Sequence, residues 1–239
     1  MYVDILAPFS LFVKNQSLVY NITMKIDLHC HTKYSYDASS SIESIIAQGK
    51  KMELEGVAIT DHENTDGWQE AIELGKKNDF LIILGEEMKT TKGDVLGLFL
   101  KERIDGYKKD PRWVMEQIKK QNGLVIIPHP FHGSEGFRDD ITKYLDLVDA
   151  IEVFNARKPG INPDKKAMEF AKKYNLGMTG GSDSHYYKGV GYTYTEFNGN
   201  TEEELKKSIL NKQTKIKGTK APLIYIVTPL LAKIGILKS

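Results

Sequence analysis

The chain is poor in cysteine: Cys30 is the only one among 239 residues. A single thiol excludes an internal disulfide and fits a reducing, cytoplasmic compartment. An excess of one charge is also missing. Lys and Arg number 33 against 32 Asp and Glu, a formal net charge of +1. Nothing global points to a stable nucleic-acid partner or an acidic membrane. Long apolar runs are absent too, and no stretch approaches the ~20 residues that span a bilayer. The first 23 residues are apolar-rich but carry Asp4, Lys14, Asn15 and Gln16. They lack a basic leader and a small-residue cleavage site, which speaks against a signal peptide. There is no Walker, Rossmann or kinase signature, no internal repeat, no low-complexity stretch and no domain linker.

What is there suits one ordinary globular domain. The 41% hydrophobic and 27% charged fractions are enough to fill one core and coat it. Met24 opens the first strand-like run directly. Residues 1–23 therefore read as an N-terminal extension, with Met24 the expected native start and 24–220 the domain. Residues 221–239 form an apolar tail. Leu230, Leu231, Ile234 and Leu237 share one helical face there. That pattern predicts a helix packed on the domain, or a surface contact for a partner or a second copy.

Short aliphatic runs alternate with helical patterns. The expected strands are Lys25–Leu28, Val57–Thr60, Phe80–Leu84, Val95–Leu100, Leu124–Pro128, Ala150–Phe154 and Gly177–Gly180. Their near-continuous apolar character predicts strands buried on both faces. Ile42, Ile45, Ile46 and Gly49 recur at helical spacing after Ser41. Val114 and Ile118 mark a second helix, with Gly123 as its expected C-terminal cap. Asn162-Pro163 predicts an N-cap followed by a first-turn proline, with Ala167, Phe170, Ala171 and Tyr174 inward. Thr201 and Glu204 have the spacing of a capping box. Strand-helix alternation predicts a parallel sheet with right-handed crossovers.

Five of the six histidines sit in short motifs, most of them directly after a strand-like run. Asp27-Leu28-His29-Cys30-His31-Thr32 comes first. Asp61-His62, Gly85-Glu86-Glu87, Pro128-His129-Pro130 and Asp183-Ser184-His185 follow. His29 and His31 are two apart, so on a strand both imidazoles face one side while Cys30 faces the other. Cys30 is accordingly expected as a buried structural thiol. Asp183 and His185 repeat that spacing. Asp37 lies six residues past His31, and Glu87 can bridge two cations where a neutral imidazole cannot. In an open sheet, ligands gather at one switch point. Donors at the ends of at least five strands converge only in a closed barrel. Mixed nitrogen and oxygen donors suit Zn²⁺, Mn²⁺ or Fe²⁺.

In these motifs the chain resembles the PHP (polymerase and histidinol phosphatase) family of metal-dependent phosphoesterases, from about Lys25 to Lys217. The resemblance implies a distorted seven-stranded, TIM-like α/β barrel in a single domain, with two to three divalent metals at the strand ends. It implies that His29, His31, Glu87 and Asp183 hold one metal. His129 holds a second with Glu87 bridging, and Asp37, His62 and His185 hold a third. One position departs from the family. Many members carry a histidine seven residues after the bridging glutamate, where this chain has Asp94. A carboxylate there either ligates and favours a harder metal such as Mn²⁺, or leaves the second metal weakly held. The Gly-x-Glu frame selects Glu87 and points Glu86 away. Glu152 matches a position beside the site, with a backbone-bonded strand carboxylate as the plain reading.

The expected activity is phosphoester hydrolysis of a small phosphorylated substrate by metal-bound hydroxide. Asp183, His185 and Arg157 are the expected catalytic residues. Arg157 and Lys158 follow a strand end and offer cationic contacts to phosphate. His132 reads as a solvated loop histidine or as a leaving-group acid. Two alternatives remain: cleavage of an oligonucleotide phosphodiester, and an amidohydrolase-type reaction, which also uses His-x-His barrels. No strand here ends in a lysine suited to the carboxylated form that would mark the latter.

Overall fold

The computed structural model describes residues 22–133 and 136–227. The expectations for the first 21 residues, and for the apolar face at Leu230 to Leu237, lie outside them. The order is β1 (Thr23–Asp27), α1 (Ile42–Lys51), β2 (Gly56–Ile59), α2 (Trp68–Asn78), β3 (Leu81–Thr90), β4 (Gly93–Leu98), α3 (Pro111–Lys120), β5 (Leu124–Ile127), β6 (Ala150–Asn155), α4 (Asn162–Lys173), β7 (Gly177–Gly181), β8 (Thr193–Asn198), α5 (Glu202–Leu210) and β9 (Lys215–Gly218).

Local chemistry explains the helix starts. Ser41 caps α1 by accepting the Ser44 amide at 3.2 Å. Asp110 accepts the amides of Arg112 and Trp113 ahead of Pro111. The capping box of Thr201 and Glu204 opens α5 as expected. Two details differ. Asn162 is already helical, and Ile161 is the N-cap, with no side-chain bond. Beyond α3 the left-handed residue is Asn122 (φ 60°), not Gly123. Gly123 is required for space instead, because a Cβ there would lie 2.9 Å from Ile118 Cγ2.

The strands form one sheet in the order β7-β6-β5-β4-β3-β2-β1-β8-β9. β1, β2 and β3 are parallel, as are β5, β6 and β7. The expected all-parallel sheet is corrected in the middle, where β4 runs antiparallel to both β3 and β5. Thr91 and Lys92 alone join β3 to β4. Two residues make a hairpin and are far too few for a crossover. Gly93 (φ 115°) supplies the backbone that the turn requires.

The seven strands β1 to β7 close into a barrel at their upper rim. His31 N donates to Ser184 O at 2.9 Å, and Asp183 N to His29 O at 2.8 Å. Gly181 permits this seam, since a Cβ there would sit 2.4 Å from His29 Cβ. The antiparallel pair of β8 and β9, joined through α5, adds two unexpected strands beside β1. In β8, buried Thr193, Thr195 and Phe197 alternate with more exposed Tyr194 and Glu196. A half-solvated strand of that kind lacks the continuous apolar run of its neighbours. Thr195 Oγ1 also spans the lower seam, donating to Gly180 O and accepting from Gly180 N.

The core has two layers. Val57, Ile59, Val125, Ile127, Ile151 and Val153 pack outward with the helices, and Cys30 joins them as the buried thiol expected. Ile26, Leu28, Ala58, Ile83, Leu96, Leu98, Ile126 and Ala150 fill the lower barrel. The polar site sits above this second layer.

Candidate metal centre

The barrel brings the sequence-predicted donors together. His29 and His31 come from the turn after β1, His62 from that after β2, and His129 from that after β5. Asp183 and His185 follow β7. Glu87 is an exception to strand-end placement, because it lies inside the ten-residue β3, whose upper half rises past the rim. Asp94, near the start of the returning β4, comes back to the same level. Apart from Asp94, half-buried His62 and loop residue Asp37, these donors are almost wholly buried. His129 (φ 32°) and Asp183 (φ 52°) hold left-handed backbone, a strain that surrounding structure must impose.

The positions of the protons decide what the imidazoles can do. His29 Nδ1 lies 3.0 Å from Glu152 Oε1, so the carboxylate requires the proton there. His31 Nδ1 lies 3.1 Å from Ser35 Oγ, whose own proton goes to Asp61 Oδ1 at 2.7 Å. That hydroxyl must accept from His31. In their neutral forms His29 Nε2 and His31 Nε2 therefore present bare lone pairs to one another at 3.1 Å. Two neutral imidazoles so arranged repel unless a proton or cation lies between them. His185 repeats the pattern: its Nδ1 faces Asp183 O at 3.0 Å, leaving Nε2 free.

The donor atoms fall into overlapping sets. His29, His31 and Glu87 form one, Glu87, Asp94 and His129 a second, and His31, His62 and His185 a third. A further set joins His29, His129 and Asp183. Asp37 Oδ2 reaches the third, at 3.2 Å from His185 Nε2 and 3.6 Å from His62 Nε2. Glu87 divides its oxygens. Oε2 lies 3.2 Å from both His29 and His31, while Oε1 lies 3.2 Å from His129. His31 belongs to two sets, which the sequence did not suggest.

These residues fit divalent cations. Asp37 Oδ1, His62 Nδ1, Asp94 Oδ1 and His185 Nε2 are buried without a hydrogen-bond partner. Each would be costly unless a ligand took it up. Burial disfavours charge on His29, yet Glu87, Glu152 and Asp183 outweigh it and push its pKa well up. Burial also opposes charge on His31, but Asp183 and Glu87 raise its pKa to about 9. The carboxylates thus draw cationic charge into the pocket, and a metal would compete with those protons. Glu87 and Asp183 are held well below the carboxylate range despite burial, the first by His29, His62 and His129, the second by Lys158, His29 and His31. Asp94 is pushed up to about 7 by burial and by Glu87.

Glu86 points away, accepting from Ile104 N at 2.9 Å. Glu152 does both things proposed for it: it orients His29 and accepts the His129 backbone amide at 2.9 Å. His132 is neither solvated nor in the centre. It pairs with Asp164 at 3.1 Å, and both side chains are nearly buried. Arg157 Nη1 and Lys158 Nζ approach Asp183 Oδ2 at 4.0 and 3.4 Å. A cavity of about 240 Å³ opens over the site, walled by Tyr36, Lys89, Arg138, Arg157 and Lys158 among others.

Residues 27–212 match the PHP domain. The chain belongs to the PHP family. An uncharacterized protein of Methanocaldococcus jannaschii is 40% identical over 143 residues, covering 56% of this chain and 82% of its own. A Thermotoga maritima protein named probable histidinol-phosphatase is 25% identical over 76% of this chain and 91% of its own. A Bacteroides vulgatus crystal structure is described as a two-domain protein containing a predicted PHP-like metal-dependent phosphoesterase. It superposes with a TM-score of 0.72 at 20% identity, over 89% of this chain and 70% of that one. The PHP barrel is thus the fold.

Several residues hold the PHP site together in roles that the motifs containing Asp27 and Asp61 did not reveal. Asp27 accepts the amides of Ser182 at 2.8 Å and Gly191 at 3.0 Å, tying β1 to the loops after β7. Asp61 takes Thr32 N, Thr32 Oγ1 and Ser35 Oγ, so it shapes the His31 loop. Asn155 Nδ2 donates to both Glu152 and Asp183. The sequence signal for Asp27 was a carboxylate inside an apolar strand; Ser35 had none.

Proposed function

We propose that this PHP protein hydrolyses a small phosphomonoester. Its divalent cations would be held by His29, His31, Asp37, His62, Glu87, His129, Asp183 and His185, with Asp94 completing the second set. The observation that carries this reading is the approach of His29 Nε2 and His31 Nε2 to 3.1 Å of one another, each 3.2 Å from Glu87 Oε2.

Bound cations supply Lewis-acid activation of water and of a phosphoryl oxygen. The protein's own groups do the rest. Glu152 and Ser35 keep the His29 and His31 protons on Nδ1, so that both Nε2 atoms stay available. Arg157 and Lys158 stand at the cavity wall, where their charge binds phosphoryl oxygens and opposes the negative charge that grows in the transition state. Asp183 holds these cations toward the metal donors while facing His29 and His31 through its other oxygen. The cavity volume of about 240 Å³ suits a phosphoryl group and a small alcohol.

Metal analysis of the purified protein, joined to a phosphatase panel, tests the proposal. The panel holds p-nitrophenyl phosphate, histidinol phosphate, nucleoside monophosphates and a dinucleotide. Two to three divalent cations per chain are expected, with Mn²⁺ restoring activity best after chelation. Active protein that is metal-free and indifferent to EDTA would sink the reading. Faster turnover of the dinucleotide would move it to a phosphodiesterase.

A further inference from the structure

The family match ends at residue 212, yet the segment beyond it returns to the rim of the site. β9 carries the chain up beside β8, and Thr219 N donates to Tyr192 O at 2.7 Å. Ala221 N then donates to Ala156 O at 2.9 Å. Between them, Lys220 Nζ donates to Asn155 O at 2.8 Å, pairs with Asp164, and lies 4.5 Å from the centroid of the Phe154 ring. Its three protons are thus directed at one corner of the barrel. Asp164 is itself fixed from the other side by His132.

That corner governs the site's cations. Asn155 Oδ1 accepts the backbone amides of Arg157 and Lys158, both at 3.0 Å. Asn155 Nδ2 links the same turn to Glu152 and Asp183. Lys220 therefore clamps, through the Asn155 carbonyl, the turn that aims both cations at Asp183. Ile226, further along the segment, lines a cavity with Arg157, Lys158 and His132.

We infer that Lys220, with Asp164 and His132, is a positioning residue that sets the Arg157–Lys158 turn for phosphate binding. The segment after β9 is thereby part of the working site. The inference rests on the phosphoesterase reading, and its test is chosen to separate the two.

Lys220→Met keeps the aliphatic stem and removes the clamp. Inorganic phosphate binding to the Mn²⁺-loaded full chain should weaken on the order of tenfold, by calorimetry, because a small misplacement of an oriented group has large effects. KM for any phosphoester turned over should rise by a similar factor, with metal content per chain unchanged. Lys220→Arg should recover part of the affinity. Asp164→Asn should weaken phosphate binding likewise, and the double variant should be little worse than either single one. Should Lys220→Met fail to fold, Asp164→Asn carries the same phosphate measurement. A purely structural Lys220 would lower the melting temperature while leaving phosphate affinity at 25 °C untouched; that result overturns the inference. Wild-type protein that binds phosphate but hydrolyses no ester would remove the phosphoesterase reading and leave the clamp testable. Wild-type protein that binds no phosphate would overturn both.

Discussion

The same strands build two unlike halves of the barrel. In the lower half, Ile26, Ile83, Ile126 and Ala150 are fully buried and wholly apolar. In the upper half, His29, Glu87, Glu152 and Asp183 are just as buried and wholly polar. The lower half gains free energy from every contact it makes. Beside its polar residues the upper half holds unpartnered buried atoms, among them His62 Nδ1, His129 Nδ1, Asp94 Oδ1 and His185 Nε2, which destabilise the fold unless ligands arrive. Burial alone thus does not distinguish a core from a site. The difference lies in whether the buried atoms satisfy one another.

Substitutions can break that contrast at either end. The largest effect is expected at Glu87, whose two oxygens face separate donor sets. Glu87→Ala should lower activity about a thousandfold and reduce bound metal by more than one ion per chain, counted by mass spectrometry of metals. Loss of a single ion would show that Glu87 serves one cation only. Next comes Glu152, which touches donors rather than metals. Glu152→Ala should weaken metal affinity by about 10- to 100-fold in chelator competition, since it frees His29 to turn.

In the lower half, Ile126→Ala should cost about 2–5 kcal/mol of stability by denaturant melts while leaving metal content and turnover of the folded fraction intact. Loss of metal there would mean the halves are coupled. Asp94 lies at the boundary, half-buried and with its buried Oδ1 unpartnered. Asp94→His should shift metal preference toward Zn²⁺, read as relative occupancy from an equimolar Mn²⁺ and Zn²⁺ mixture. Unchanged preference, with Asp94→Ala also neutral, would put the carboxylate outside the site.

The smallest effect belongs to Glu86. Burial raises its pKa from 4.5 to about 7, partly offset by the Ile104 amide. The folded state then holds a proton that the unfolded chain has released. This contribution to stability is full below about 4.5 and lost as pH rises through about 7. Glu86→Gln stays neutral, so it should gain on the order of 2 kcal/mol relative to wild type between pH 5 and pH 8. Activity should stay within a few-fold. Parallel melting curves for the two proteins at both pH values would show that Glu86 titrates normally.

The outline of this site could be read in the chain because its donors interrupt aliphatic runs. His29, His62, His129 and Asp183 each follow residues that can only be buried strand. What could not be read are the groups that orient the donors. Glu152 meets His29 across 123 positions, and Asp27 meets Ser182 across 155. His132 read as a solvated loop residue because nothing near it reveals Asp164, 32 positions away. The reversal at β4 was missed for a different reason. A short aliphatic run in a parallel barrel and one in a buried hairpin look the same, and only the two-residue link tells them apart.

The sequence by itself determined the helix caps at Ser41 and Thr201, the buried faces of the strands, and the identity and order of the donor residues. These depend on neighbours a few positions away, where propensity and periodicity act. Tertiary structure alone decided which oxygen of Glu87 faces which histidine, where the His29 and His31 protons reside, and that Lys220 reaches Asn155. Those depend on barrel closure at the Gly181 seam, which brings β7 within hydrogen-bonding distance of β1. No local preference encodes an approach between backbone segments so far apart in sequence as His29 and Asp183.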